Sequence, residues 1–237
     1  MKDSPAQIAR TARLLARAAK SGALATNRRA KRDKGHPYVS KVGVALDGNG
    51  SPLFLLSTLA AHTQDLLADP RAALLVETPA SSANPLEAPR ATLSGRMVRI
   101  EREDDDRMRA CYLAHHPDAA MYANFGDFAI WAMDVDKVHY VGGFGVAKWA
   151  KGSDYRTAAP NLDRVLDELS GTKKSQFSKV VVATTGRSAR AWKAVCVDAD
   201  GLLAEGAKGV RARVDFASPA TDARGWRARF TRLGNKT

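Results

Sequence analysis

The chain's 237 residues suffice for one large domain or two modest ones, and 45% hydrophobic with 26% charged residues is the composition of an ordinary globule. No apolar run approaches the ~18 residues of a membrane-spanning helix, and two distant cysteines, Cys111 and Cys196, without CxxC spacing argue against a disulfide framework or zinc site and for a reducing cytoplasm. The net charge of +12 is uneven: from residue 173 onward there are 14 Lys plus Arg against 5 Asp plus Glu. That surplus suits a solvated basic face or an anionic cofactor. Nucleic acid carries little weight, because no helix-turn-helix, zinc-finger or base-stacking motif accompanies the charge.

In chain order, residues 4–20 read as an amphipathic helix with Ser4 as N-cap and Pro5 in the first turn. Ile8, Ala12, Leu15 and Ala19 recur at helical spacing, which outweighs reading this basic, Ala-rich segment as a targeting peptide. Gly22 is expected to end the helix, and residues 23–26 to start a strand. The basic run 28–35 then reads as a solvated loop tip unless an anion pins it. Residues 36–77 organise the rest: a strand over 37–46, a hairpin turn at Asp47-Gly48-Asn49-Gly50, and a short apolar strand at 53–56. Ser57-Thr58 stands ahead of a helix over 60–68 that Asp69-Pro70 stops, and residues 72–76 return as a buried strand.

Residues 78–89 are loop by composition, and 91–100 alternate as a strand. An acidic stretch, 101–106, opens a helix over 107–114. His115-His116-Pro117 breaks it, and a short helix runs from 117 to 122. Two strands are expected at 128–135 and 137–141, closed by Gly142-Gly143-Phe144-Gly145. That glycine run reads as a strand-end turn, since no Lys-Ser pair follows it. Six or seven strands with turns between them suit a closed antiparallel barrel. Beyond a linker at 152–160 come a helix over 161–169 capped by Asn161, strands at 179–183, 191–197 and 210–216, a turn at 198–201, and an Arg-rich helix over 222–233.

Chemistry concentrates at Ser57, Thr58, His62 and Thr63. Hydroxyls and an imidazole at the start of a helix, above unpaired N–H groups, make a cradle for an anion such as a phosphate. Ser40, Lys41 and Val42 lie on the neighbouring strand, whose rim offers backbone donors and acceptors. Arg90 and Arg96 flank the strand at 92–95 as further cations, each by itself a solvated rim residue. The five histidines are His36, His62, His115, His116 and His139. No nucleophile triad, carboxylate pair or Walker loop is present, so no catalytic residue is assigned.

The segments PYVS, LFLLSTLAAHTQDLLADPRAALLV, YLAHHPDA and FGDFAIWAMDVDKVHYVGGFG, with GALAT near the start, resemble the pyridoxamine 5'-phosphate oxidase-like FMN-binding split barrels, most of all their HugZ-type heme-utilisation branch. The likeness covers about two thirds of the chain with good specificity. It implies a split β-barrel over residues 1–150 and a small α/β domain of the heme-utilisation type over 160–237. It also implies a homodimer with its cofactor site at the interface. Carried over residue by residue, FMN phosphate would meet Ser57, Thr58, His62 and Thr63, the flavin edge would meet Ser40, Lys41 and Val42, and Arg96 would add a cation. The first expectation is thus a flavin-binding oxidoreductase-like protein. The alternatives are a heme-binding or heme-degrading protein and a cofactor-free regulatory module. Relatives that degrade heme take the axial histidine from the C-terminal tail, and the C-terminal domain of this branch usually opens with an Asn–acidic–His helix signature; here the tail and the helix NLDRVLDEL have no histidine.

Overall fold

Helix α1 (Pro5–Ala18) begins with a capping box: Gln7 N–H donates to Ser4 Oγ at 3.2 Å, and Ser4 N–H to Gln7 Oε1 at 2.7 Å. In this computed structural model the described residues are 4–77, 84–143, 145–157, 162–171 and 174–234. They fall into two units, residues 1–156 and 157–237, each with its own apolar core. The expected loop residues 78–83, the Asn161 cap and part of the linker lie outside them.

α1 presents Ile8, Ala9, Ala12, Leu15 and Ala16 to the first core and is capped at Ala19, not at Gly22. Gly22 instead belongs to strand β1 (Ser21–Asn27), where a Cβ would stand 2.7 Å from the Leu75 carbonyl. The glycine serves a close strand approach. There follow β2 (Pro37–Gly43), β3 (Ala45–Leu46), β4 (Pro52–Ser57), α2 (Ala61–Ala68), β5 (Arg71–Glu77), β6 (Arg90–Arg99) and α3 (Arg102–His115), and then β7 (Phe128–Val141), β8 (Ala147–Lys151) and α4 (Gly152–Tyr155). The hairpin at 47–50 forms as expected: Asp47 Oδ1 accepts from Asn49 N–H and Ser51 N–H, each at 2.8 Å, and Gly50 takes φ +92°.

The strands make one antiparallel sheet in the order β2-β1-β5-β6-β7-β4-β3, with β8 also on β7. β2 and β3 stand at opposite ends of that order, yet Val44 alone separates them in sequence. The sheet must therefore curl back on itself. It does not close by hydrogen bonding, because β2 and β4 approach without a ladder between them. The expected closed barrel is thus a split one, with its seam at β2 and β4.

Strand β7 is a single 14-residue strand where two were expected. Its register against β6 slips at Ser94/Gly95, leaving Asp136 as the extra residue of a bulge. Gly95 is required there, since a Cβ would collide with the Asp134 carbonyl. The expected linker also begins too early: α4 buries Tyr155 completely in the first core, and β8 was not anticipated. α3 covers the outside of β3, β4 and the start of β7 through Tyr112, against Leu53, Leu55 and Ile130.

The second unit contains α5 (Leu162–Gly171), α6 (Lys174–Thr185), β9 (Lys193–Asp198), β10 (Gly201–Glu205), β11 (Arg211–Asp215) and α7 (Ala223–Gly234). Its sheet runs β11-β10-β9, antiparallel throughout. Residues 179–183 are helical, not a strand. The valine run suggested β structure, but Phe177, Val180 and Val181 bury together at helical spacing, and Thr184 and Thr185 bond back to the carbonyls of Val180 and Val181 at 2.7 Å. β10, missed in the sequence, follows directly on the turn at 198–201.

Candidate functional site

All four residues of the predicted anion cradle meet at one corner, where β4 leaves the sheet and α2 begins. The N-cap position is Ala60, which has no side-chain oxygen, so no side chain caps the first turn of α2. Ser57 Oγ accepts from Leu59 N–H at 3.1 Å and donates to Asp127 Oδ2 at 2.5 Å. Thr58 N–H donates to the Asp127 carbonyl at 2.7 Å. Thr63 is fully buried, and its hydroxyl has no hydrogen-bond partner among the described residues. His62 is half-exposed, and burial holds its pKa below the ordinary imidazole value against the opposing pull of Asp65. The corner therefore holds a neutral imidazole and a carboxylate. Asp127 was missed because it joins this turn only through the β4–β7 pairing, 70 residues away in sequence.

Ser40, Lys41 and Val42 flank the same seam. Among the described residues β2 pairs only with β1, so its other edge keeps the free peptide groups expected of a strand rim. Lys41 is exposed, Ser40 half-exposed, and the Val42 side chain belongs to the core. Arg96 is not brought to this corner. It lies opposite Asp134 of β7, whereas Ser57 lies opposite Phe128, six residues and about 20 Å away along the strand. Arg90 donates to the Leu86 carbonyl at 2.9 Å.

The basic loop after β1 is only partly a solvated tip. Arg28 pairs with the buried Asp65 of α2 at 3.2 Å and lies over the Tyr38 ring, 5.0 Å from its centroid. Arg29 N–H donates to Asp65 Oδ1 at 3.0 Å, and residues 31–36 of the loop are exposed. Asp65, a second residue that sequence reasoning missed, thus ties the loop to the helix that carries His62.

A further feature emerges from the register. Lys41, Ala23, Leu75, Thr92, His139 and Trp149 form one row across six strands, on the face opposite the buried Leu24, Leu74, Leu93, Val138 and Ala150. No described element of this unit packs on that row: Trp149 is 64% exposed, and Val39 in the adjacent row is 59% exposed. The His139 and Trp149 rings stack with centroids 4.4 Å apart. Two other histidines are engaged, His115 with the Cys111 carbonyl at 3.0 Å and His116 with the Val44 carbonyl at 2.8 Å. His36 is exposed in the β1–β2 loop. Among the described residues no three His, Cys, Asp or Glu side chains cluster to hold a metal by themselves, and no helix is long and apolar enough to cross a membrane.

Residues 3–157 match the model of the family described as CREG, beta-barrel. A curated relative, the chloroplastic non-canonical heme oxygenase HOZ of Arabidopsis thaliana, is 38% identical over 119 residues, half of this chain and 36% of that protein. The chain thus spans about a third of that relative's length. Among solved structures, a heme-binding protein from Mycobacterium smegmatis matches end to end, covering 100% of this chain and 98% of its own, with a TM-score of 0.59 and 26% identity. A protein of unknown function from Agrobacterium tumefaciens covers 97% and 94% with a TM-score of 0.72, and at 24% identity it bears on the fold alone.

Proposed function

The chain belongs to the CREG β-barrel family, and on that footing we propose that it binds heme, in preference to acting as a flavin oxidoreductase. The observation that carries this reading is the likeness to the Mycobacterium smegmatis heme-binding protein over the whole length of both chains. The HOZ match supports the same direction over the barrel. Electrostatics at the corner point the same way. A dianionic phosphate beside Ser57 would meet the Asp127 carboxylate and a neutral His62, and the Arg28 guanidinium is already paired with Asp65, on the helix that carries His62. Arg96, the cation expected for it, lies at a distance.

Heme asks for something different: an imidazole donor with a free nitrogen, an apolar bearing surface and cations for the propionates. This unit has those parts, since His139 has ring nitrogens without a hydrogen-bond partner among the described residues, and Lys41, Lys137 and Lys151 are exposed. When bound, the porphyrin iron would supply ligand or redox chemistry, and the chain would hold and shield it. A homodimer belongs to the same proposal, with the heme site lying between the two copies at the exposed sheet face around Trp149 and Val39. Titration of the purified protein with hemin, followed by visible absorption, is the test. A saturable Soret shift at one heme per chain is expected, and hemin spectra unchanged by the protein, with flavin bands in the isolated protein, would overturn the reading in favour of flavin.

A further inference from the structure

We propose that His139 is the axial ligand through which this chain holds heme iron, on the open sheet face beside Trp149. The inference rests on the heme-binding reading above and adds the residue and the surface. It starts from the sheet register, which puts His139 in the outward row, bordered by β6 on one side and β8 on the other. Its ring is positioned from the side by the Trp149 indole at 4.4 Å, with an interplanar angle of 20°. The nitrogens of that ring have no hydrogen-bond partner among the described residues, whereas those of His115 and His116 face carbonyls.

The surroundings match an amphipathic planar dianion. Ala23, Leu75 and Thr92 continue the row on the neighbouring strands, and the partly exposed Leu75 adds an apolar side chain on which a flat ring can rest. The 64% exposed Trp149 supplies apolar contact. Lys137 and Lys151 follow in the next row, both exposed and able to meet carboxylates. His62, the other imidazole with a free nitrogen, lacks this setting. It stands in the first turn of α2, where Asp65 of the same helix acts on it and the Asp127 carboxylate lies at the same corner, charges that would oppose propionates.

The experiment is hemin titration of the full chain and of three variants, read by absorption and by electron paramagnetic resonance of the ferric state. The wild-type spectra should carry the signature of imidazole ligation. His139→Ala should weaken hemin binding by about 10–100-fold, as expected for the loss of a group that fixes a metal, and should lose that signature. Free imidazole should restore the signature, and His139→Gln should behave like His139→Ala, while His62→Ala leaves both readouts unchanged. Circular dichroism identical to wild type is expected for each, because His139 lies on the outer face. A His139→Ala protein that keeps the imidazole signature overturns this assignment and leaves the heme-binding reading standing. Loss of the signature in His62→Ala overturns it too, moving the ligand to the corner. A wild-type protein that takes up no hemin removes the reading on which the assignment rests.

Discussion

Replacing Asp65 with alanine should loosen the β1–β2 loop from α2 and destabilise the first unit. The carboxylate is 1% exposed and accepts from Arg28 Nη1 at 3.2 Å and from Arg29 N–H at 3.0 Å, with Thr26 Oγ1 more distant at 3.4 Å. Breaking a buried ion pair by removing one partner costs about 3–5 kcal/mol. Arg28 is 24% exposed, so its guanidinium regains water when the carboxylate goes, and the lower end applies, about 3 kcal/mol. For a unit of this size each kcal/mol moves Tm by about 2–4 °C, which predicts a fall of about 6–12 °C. Urea unfolding should report the loss of stability, and hydrogen exchange at the Arg29 amide should accelerate by about the same free energy. Asp65→Asn keeps an acceptor oxygen and loses the charge, so it should cost about half as much. A change within about 0.5 kcal/mol for Asp65→Ala, the range of an ordinary surface substitution, would refute the claim that this carboxylate anchors the loop.

Two further outcomes follow from the charged groups. Burial holds the His62 pKa down in the fold, so below about pH 6.5 the unfolded chain takes up the proton first. His62 thus contributes stability that is complete above about pH 6.5 and declines as pH falls from there to the folded pKa. Unfolding free energies measured from pH 8 to pH 5 should show a shallower decline for His62→Gln, and parallel curves would count against it. In the second unit, the wholly buried Asp198 accepts both terminal nitrogens of Arg213 and the Asp200 N–H at 2.8 Å. Arg213→Met should cost about 3–5 kcal/mol by leaving that carboxylate without its cation, and a loss under about 1 kcal/mol in urea would mean that other groups offset the charge.

Much of the fold was legible because its signals are local. Ser4, Pro5 and Gln7 specify a helix start among themselves, and Asp47 to Gly50 specify a hairpin within a single turn. Between β2 and β5 the hairpin, the strand at 53–56, the helix and its stop at Asp69-Pro70 read correctly, whereas the single strand expected over 37–46 is two, β2 and β3, which stand at opposite ends of the sheet. The failures share one cause. Residues 179–183 combine strand-forming valines with helical spacing, and only burial of Phe177, Val180 and Val181 against the second core decides between them. The break expected between two strands near residue 136 is a bulge, which depends on Gly95 in the partner strand.

For the candidate site the division is sharper. The residue types that gather at the corner, Ser57, Thr58, His62 and Thr63, were evident from their position before a helix. Their charge environment was not, because Asp127 reaches Ser57 only after β4 and β7 have paired. The open row that contains His139 and Trp149 has no counterpart in linear order, since its six members come from six strands. What the sequence determined by itself was where each strand and helix could start and stop, through propensities and caps acting over a few residues. Which side chains share a face, and which charges oppose one another, was decided by the pairing of strands far apart in the chain.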